Sequence, residues 1–208
     1  ASGYHTCRIM RITSGLARGI LLDVPHTDAV RPATDAARQA IFSSIGPAVE
    51  GASVLDLFAG TGSYGLEAAS RGAARVTFAE TDRAALAALR RNIERVKKAA
   101  ASAGADFSAR IVPCDCVKSA ALFEGARYDI VFADPPYSML CDPKTAVKIF
   151  SMFCKISRGD MFFVLEAPAD FSLESAPKPF AFDFEQLRRL GRKSAGKPSQ
   201  IVFKIRAK

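Results

Sequence analysis

Four consecutive residues, DPPY at positions 134–137, follow an apolar run and have the chemistry to hold an aromatic amine. Pro135 and Pro136 fix their own φ angles and have no N–H groups, so we predict that their carbonyl oxygens stay out of helix and sheet pairing. The Asp134 carboxylate and the Pro135 carbonyl could then accept hydrogen bonds from one amine, and Tyr137 offers a flat ring on which a base can stack. Two such acceptors would orient a weakly nucleophilic arylamine and stabilise the positive charge that develops as it attacks a methyl group.

A second segment with chemical potential is the glycine-rich sequence DLFAGTGSYG, which follows another apolar run. Gly60, Gly62 and Gly65 have the GxGxxG spacing, which lets the backbone turn at positive φ and approach a ligand beside a helix N-terminus. We therefore expect these glycines to bind a cofactor. The spacing suits a nicotinamide enzyme and a methyltransferase equally, and a tight strand-to-helix turn without a ligand would also use it.

Two acidic residues follow the next two apolar runs. Glu80 lies where a carboxylate can accept hydrogen bonds from the two ribose hydroxyls of an adenosine-containing cofactor. Asp82 competes for this role but is better placed to cap the following helix. Asp115 could accept a hydrogen bond from an adenine amine, while its neighbours Cys114 and Cys116 pack against the ring as small apolar residues.

The apolar runs themselves predict an α/β fold. Strands are expected at residues 53–57, 75–79, 107–113, 128–133 and 161–165, with helices between them, and the segments 180–190 and 201–205 are expected to form a terminal antiparallel pair. Strands that alternate with helices indicate a mostly parallel, doubly wound, seven-stranded sheet. Such sheets bind ligands at the carboxyl ends of their strands, and the segments described above all lie there.

Three further segments have specific predictions. Residues 82–98 predict a long amphipathic helix, and AAASAGA at 99–105 predicts a flexible connection. Asp142 and Pro143 predict the cap and first turn of another helix, whose inner face is expected to carry Val147, Phe150 and either Phe153 or Cys154. In the first 50 residues, the segments 8–13 and 19–24 predict a hairpin, and Thr34 predicts the cap of a helix over 34–45. We expect residues 1–50 to be an appendage packed on a core domain of residues 51–208.

Composition predicts a single soluble domain without a metal site. The chain has 208 residues, of which 49% are hydrophobic and 24% charged, and no apolar run approaches the length of a membrane span. Residues 1–8 lack the apolar stretch of a signal peptide, so we expect a cytoplasmic protein. The five cysteines form no CxxC pair, and His5 and His26 are the only histidines. Nothing in the sequence indicates more than a monomer.

The formal net charge of +8 is unevenly distributed. The last 21 residues contain no acidic residue and eight basic ones, namely Arg188, Arg189, Arg192, Lys193, Lys197, Lys204, Arg206 and Lys208. This basic tail is compatible with a polyanionic partner. A second basic cluster, within residues 83–98, is interpreted as the solvated face of a helix.

The N-terminal segment completes a family pattern with MRITSG at 10–15, RPATD at 31–35 and Arg38. Together with DLFAGTG and DPPY, these motifs resemble the bacterial methyltransferases that modify the N2 amine of a guanine in 16S ribosomal RNA. That family belongs to the S-adenosylmethionine-dependent enzymes with a Rossmann-like fold and an (Asp/Asn)-Pro-Pro-(Tyr/Phe) motif. The resemblance covers nearly all of residues 10–206.

The resemblance implies a role for each matched residue. S-adenosylmethionine would be held by Asp56, Phe58, Gly60, Thr61, Gly62, Glu80 and Asp115. The DPPY segment would hold the target guanine. Thr34, Asp35 and Arg38 would line the edge of the same cleft, and we expect Arg11, Arg18, Arg31 and the basic tail to contact phosphates of 16S ribosomal RNA or of the small ribosomal subunit particle.

Other functions fit parts of the sequence. DPPY alone would suit an enzyme that methylates an adenine amine in DNA or another RNA, or a protein glutamine, so the RPATD segment with Arg38 carries the discrimination. GxGxxG alone would suit a nicotinamide oxidoreductase. A nonenzymatic RNA-binding protein on the same fold is the alternative from a different class.

Overall fold

The computed structural model describes residues 10–25, 34–156, 160–169, 171, 182–191 and 198–207. Its strands and helices are, in chain order, β1 (Met10–Arg11), β2 (Leu21–Leu22), α1 (Asp35–Ile45), β3 (Ser53–Leu57), α2 (Ser63–Ser70), β4 (Arg75–Glu80), α3 (Arg83–Ser102), β5 (Ser108–Pro113), β6 (Ile130–Ala133), α4 (Tyr137–Cys141), α5 (Pro143–Ile156), β7 (Met161–Pro168), β8 (Phe182–Leu190) and β9 (Pro198–Ala207). No helix in these ranges is long and apolar enough to cross a membrane.

Seven of the strands form one sheet in the order β5-β4-β3-β6-β7-β9-β8. Strands β3 to β7 pair in parallel with one another, whereas β9 runs antiparallel between β7 and β8. The predicted mostly parallel α/β sheet is confirmed, and its order matches the Rossmann-like methyltransferase fold that the resemblance implies. The order reverses at β3, so the ends of β3, β4 and β6 border the crevice in which such sheets bind ligands.

Both faces of the sheet are covered, because alternate residues of each strand point to opposite sides. Val54 of β3 and Phe132 of β6 pack in a core shared with α1, α2 and α3. Leu55 of β3 and Val131 of β6 pack in a second core under α5. Two cores on one sheet explain why the parallel strands read as continuous apolar runs rather than as alternating ones.

The N-terminal hairpin consists of β1 and β2, which pair antiparallel with Met10 opposite Leu22. The turn between them packs directly on α2, where the Leu16 N–H donates to the Ser70 carbonyl at 2.7 Å. Gly15 is required at this contact because it has φ 80°, and a Cβ atom there would lie 1.8 Å from the Ser70 carbonyl oxygen. Residues of the hairpin and α1 share a core with the sheet. The domain boundary after residue 50 stays a prediction.

Two local predictions are wrong. The flexible connection expected at 99–105 is instead largely helical, because α3 continues to Ser102 through an alanine run with high helix propensity. Val147 was expected on the inner face of α5, but its side chain is 41% exposed, whereas Ile149, Phe150 and Phe153 are buried. The buried face of α5 therefore includes Phe150 and Phe153, as predicted, together with Ile149, and excludes Val147.

Candidate active site

The loop between β3 and α2 is held closed by a buried carboxylate. Asp56 accepts a hydrogen bond from the Gly65 N–H at 2.8 Å, inside the protein. Burial raises the pKa of Asp56 to about 8; the Gly65 hydrogen bond opposes this shift, and the charge of Glu80 adds to it. Asp56 therefore fixes the start of α2, and it does not line the neighbouring cavity.

The three glycines of this loop have different roles. Gly60 has φ 54°, and a Cβ atom there would meet nothing within 4 Å, so its backbone faces open space that a ligand could occupy. A Cβ atom on Gly62 would lie 2.5 Å from Leu89 of α3, and one on Gly65 would lie 2.4 Å from the Phe78 ring. Gly62 and Gly65, both predicted to bind the cofactor, thus allow α2 to pack closely against α3 and the sheet. The GxGxxG spacing alone could not distinguish a glycine that faces a ligand from one that allows close packing.

Glu80 is held at the end of β4 by backbone donors. Its carboxylate accepts hydrogen bonds from the N–H groups of Gly60 (2.7 Å), Thr81 (2.7 Å) and Asp82 (2.8 Å). Oε1 accepts two of these bonds and a third from the Thr81 hydroxyl at 3.5 Å, whereas Oε2 accepts the Gly60 bond and keeps a site for a ribose hydroxyl. Binding of both ribose hydroxyls stays a prediction. Asp82 caps α3 as expected, because its side chain accepts from the Ala85 N–H at 2.8 Å.

A cavity of about 160 Å³ lies between the ends of β4 and β5 and the DPPY segment. Its lining residues are Phe58, Ala79, Glu80, Thr81, Cys114, Asp115, Cys116, Pro136 and Met139. Most of these side chains are apolar, and the carboxylates of Glu80 and Asp115 are the charged acceptors among them. A flat aromatic group with hydroxyl and amine substituents, such as a nucleoside, fits this combination.

Two adjacent residues of this cavity, Asp115 and Cys116, have opposite ionisation behaviour. Burial raises the pKa of the Cys116 thiol to about 12, so Cys116 is a neutral, apolar wall as predicted. Burial also works against the charge of Asp115, but the backbone and side-chain hydrogen bonds from Lys118 outweigh it and lower the pKa of Asp115. Asp115 therefore stays an acceptor at neutral pH.

The DPPY segment joins β6 to α4. Burial raises the pKa of Asp134 well above its usual range, and the charges of Glu166 and Asp56 raise it further. The Pro136 carbonyl accepts a hydrogen bond from the Met139 N–H at 2.8 Å, so the prediction that it stays out of helical pairing is wrong. In the described part of the chain the Pro135 carbonyl accepts no such backbone bond.

Sequence reasoning missed a buried glutamate next to this segment. Glu166, near the end of β7, is 4% exposed and accepts hydrogen bonds from Tyr64 (3.2 Å), Tyr137 (3.4 Å) and Gln200 (3.1 Å). A signal was available, since Glu166 directly follows the apolar run at 161–165, and the strand-end rule applies to that strand too. Gln200 could not be found this way, because only the antiparallel pairing of β7 with β9 places it opposite Glu166.

The N-terminal residues expected at the cleft edge are mostly held by one another. Asp35 is paired with Arg11 at 3.0 Å and with Arg38 at 2.7 Å. Arg38 is fully buried and donates to the Arg11 carbonyl at 2.6 Å, so it lies inside the protein and not at an edge. Thr34 is exposed and caps α1, as predicted. Arg18 is exposed, and Arg31 lies outside the described residues.

Part of the basic tail also makes internal contacts. Arg189 donates to the carbonyls of Ala169 (3.0 Å) and Phe171 (2.5 Å). Lys204 lies 3.8 Å from the Asp160 carboxylate. Arg192, Lys193, Lys197 and Lys208 lie outside the described residues. Among the residues that the structure describes, no group of three or more histidine, cysteine or acidic side chains could hold a metal ion.

Comparison with known proteins identifies the family. The model of the family described as conserved hypothetical protein 95 matches residues 10–182. The chain belongs to this family. The matched range includes Glu166 and the whole DPPY segment, but not Gln200.

Relatives of the chain carry a functional name. The Escherichia coli protein named ribosomal RNA small subunit methyltransferase D is 40% identical over 128 residues, which cover 62% of this chain and 60% of that protein. The Haemophilus influenzae protein of the same name is 32% identical over 146 residues, 70% of this chain and 71% of that protein. The chain thus matches less than two thirds of the length of the Escherichia coli relative. The resemblance inferred from the motifs is confirmed.

A solved structure supports the fold. The Escherichia coli protein yhhF superposes with a TM-score of 0.70 at 27% sequence identity, and the match covers 97% of this chain and 100% of that one.

Proposed function

We propose that this protein is an S-adenosylmethionine-dependent methyltransferase that modifies the exocyclic N2 amine of a guanine in 16S ribosomal RNA. The observation that carries the proposal is the position of DPPY, whose Pro136 lines the cavity at the strand ends and whose Tyr137 contacts buried Glu166. A cofactor pocket and a set of amine acceptors are therefore adjacent at the strand ends. The name of the related proteins supports methyl transfer to small-subunit ribosomal RNA.

Four residues of the cavity and its glycine loop would hold the cofactor. Gly60 offers open backbone, Phe58 an apolar wall, and Glu80 and Asp115 the acceptors for ribose hydroxyls and the adenine amine. S-adenosylmethionine would supply the methyl carbon: the amine lone pair forms the N–C bond while the C–S electron pair returns to sulfur.

The chain itself would orient the amine and accept its proton. A base turned out of its stack can lie on the Tyr137 ring, with the amine protons directed at the Asp134 carboxylate and the Pro135 carbonyl. The raised pKa of Asp134 makes its ionised carboxylate a stronger proton acceptor, and kcat should therefore rise with pH as this carboxyl ionises. The proton that the amine loses would pass to Asp134 or to solvent.

The proposed substrate is 16S ribosomal RNA, free or in the small ribosomal subunit particle, and the proposed location is the cytoplasm, with the protein acting as a monomer. Exposed Arg11 and Arg18 on the N-terminal hairpin would contact phosphates, which position an RNA without reading its sequence. Methylation of an adenine amine in DNA or another RNA is the second candidate, because DPPY offers acceptors that do not distinguish between the two amines.

The test uses small ribosomal subunits from a strain that lacks its own version of this activity. The subunits are incubated with the protein and isotope-labelled S-adenosylmethionine, and the RNA is digested to nucleosides for mass spectrometry. Label in N2-methylguanosine is the expected result, whereas label in a methyladenosine would support the second candidate. Absence of label from subunits, naked RNA and DNA, with cofactor binding measured separately, would contradict both.

The role of Asp134 is tested in the same assay. Asp134→Ala should bind S-adenosylmethionine with a dissociation constant close to that of the wild type, because Asp134 does not line the cavity. Its turnover should fall by about 100-fold or more, the usual loss when an electrostatic group of a reaction is removed. Full turnover in this variant would contradict the assignment.

A further inference from the structure

Glu166 differs from ordinary buried carboxylates because neutral groups hold it. Its three hydrogen-bond donors are two tyrosine hydroxyls and one glutamine amide. In the described ranges, no lysine or arginine nitrogen lies within 4 Å of its oxygens. A buried charge without a counter-ion is costly, so its presence beside the DPPY segment requires an explanation.

The two oxygens of Glu166 have different partners. Oε2 accepts hydrogen bonds from the Tyr64 hydroxyl and the Gln200 amide, and both donors are fixed by the fold. The Tyr64 ring stacks on Phe132 at 5.1 Å, and Gln200 is the β9 residue directly opposite Glu166. Oε1 accepts from the Tyr137 hydroxyl. The carboxylate is therefore held on one side by the core and reaches Tyr137 with the other.

Tyr137 needs such a contact if its ring is to bind a base. It is the first residue of α4, a helix of only five residues, which directly follows the two prolines. A single helical turn gives the ring little support from its own element. The neighbouring strand supplies support, because β7 is paired with β6 and brings Glu166 beside the DPPY segment.

We propose that Glu166 is a positioning residue for base binding: it holds the Tyr137 hydroxyl and so fixes the ring on which the target base stacks. This inference rests on the proposed function. It assigns to β7 a part in the reaction that the DPPY motif alone does not indicate.

The charge of Glu166 has a second, measurable consequence. Burial is the main cause of the raised pKa of Asp134, and the charges of Glu166 and Asp56 raise it further. The other groups that face this cluster are Tyr64 and Tyr137, and the positive charge of Arg38 acts on Tyr64. Loss of the Glu166 charge should therefore lower the pKa of Asp134. Loss of the Tyr137 hydroxyl removes no charge and should not lower it.

The experiment is a double-mutant cycle of Tyr137→Phe and Glu166→Gln, measured as kcat at the pH plateau. Tyr137→Phe keeps the ring and removes only the held hydroxyl, and it should lower kcat about 10-fold with no change in the dissociation constant of S-adenosylmethionine. Glu166→Gln should lower kcat by up to the same factor. The double variant should be no slower than Tyr137→Phe, because both changes remove one interaction.

Two further measurements separate positioning from a structural role. The acidic limb of the kcat profile should move to lower pH in Glu166→Gln but not in Tyr137→Phe. Near-ultraviolet circular dichroism reports tyrosines without interference from tryptophan, because the chain has four tyrosines and no tryptophan. The tyrosine signal of Glu166→Gln should fall towards that of Tyr137→Phe. The matched control Tyr128→Phe removes the hydroxyl of a buried tyrosine at the opposite end of β6 from the DPPY segment and should change kcat less than about 3-fold.

Multiplied effects, about 100-fold in the double variant, would overturn the inference, as would full activity of Glu166→Gln. The cycle is measured on whichever amine the wild type methylates, so a methyladenosine product would contradict the proposed substrate while the cycle still decides the role of Glu166. Without methylation of any substrate, the circular dichroism comparison decides whether Glu166 fixes the Tyr137 ring.

Discussion

Two buried glutamates lie in very different surroundings in this molecule. Glu67, on α2, is fully buried and accepts hydrogen bonds from the N–H and hydroxyl of Thr13, while the Arg71 guanidinium lies 2.8 Å away. Glu166, at the end of β7, is almost as deeply buried but has only neutral donors in the described part of the chain. The residue type and the burial are alike, and only the charge of the partners differs.

The difference separates a structural carboxylate from one proposed to act in a reaction. The charge of Glu67 is balanced inside the fold, where it fastens the N-terminal hairpin to α2 together with Ser70, which accepts from the Ala17 N–H and donates to the Ser14 carbonyl. Glu166 has no cationic partner in the described part of the chain; it lies beside Asp134, and burial raises the pKa of both carboxyls. Carboxyls whose pKa values are raised by burial are characteristic of reactive sites, and the proposed reaction would use one to accept the proton of the amine.

Replacing each glutamate with glutamine should separate the two roles most clearly. In Glu67→Gln one carboxylate oxygen becomes an NH2 group, which brings a second donor towards Thr13 or Arg71. The mostly buried Arg71 guanidinium also loses its counter-ion, and the substitution should cost about 3 kcal/mol of unfolding free energy. Glu166→Gln removes an unbalanced charge and should change the unfolding free energy by less than about 1 kcal/mol. Urea unfolding followed by far-ultraviolet circular dichroism measures both. Equal losses would show that the two carboxylates are both structural.

The raised pKa values of Asp56, Asp134 and Glu166 should also affect the pH dependence of stability. The pKa of Asp56 is about 8 in the folded protein, against 3.8 for the ordinary side chain, so between these values the folded state retains a proton that the unfolded state has released. Stability should therefore fall as the pH rises from about 4 to about 8, by at most about 1.4 kcal/mol per pH unit for this one group.

Asp56→Asn tests that expectation, because asparagine keeps an acceptor for the Gly65 N–H but cannot ionise. Its unfolding free energy should depend less steeply on pH than that of the wild type. Asp134 and Glu166, whose pKa values are also raised, should leave a residual slope of the same sign. An unchanged slope in Asp56→Asn would contradict the raised pKa.

The sequence predicted most of the sheet because its physics is local. Each parallel strand is buried on both faces and so reads as an apolar run, and the observed bounds of β3 to β7 lie within three residues of the predicted ones. The placement of β9 between β7 and β8 depends on contacts between distant segments, and no local pattern encodes it. The length of α3 was underestimated because its last turn is built from small residues that also occur in loops.

The candidate site was predictable where chemistry follows a strand directly. Glu80, Asp115 and Asp134 all lie at strand ends as expected, and the strand-end rule would also have found Glu166 if it had been applied to the fifth strand. The burial of Arg38 was not predictable: Asp35 lies one turn away on the same helix, but the Arg11 carbonyl of β1 reaches Arg38 only through the packing of α1 on the hairpin. Residue type alone indicated a surface role.

The smallest expected effect tests whether Thr13 and Glu67 act as one unit. Thr13→Val keeps the side-chain shape and the backbone N–H but removes the hydroxyl that donates to Glu67 at 2.7 Å, which should cost about 1 kcal/mol of unfolding free energy. In a Glu67→Gln background the same substitution should cost less, because the charged acceptor has already been lost. Urea unfolding of the four proteins gives the coupling free energy directly. Additive losses would mean that the Thr13 hydroxyl acts independently of Glu67, through the hydrogen bond that it accepts from Arg71 at 3.2 Å, and the hairpin would then be held chiefly by Ser70 and by the buried apolar contacts of Met10 and Ile12.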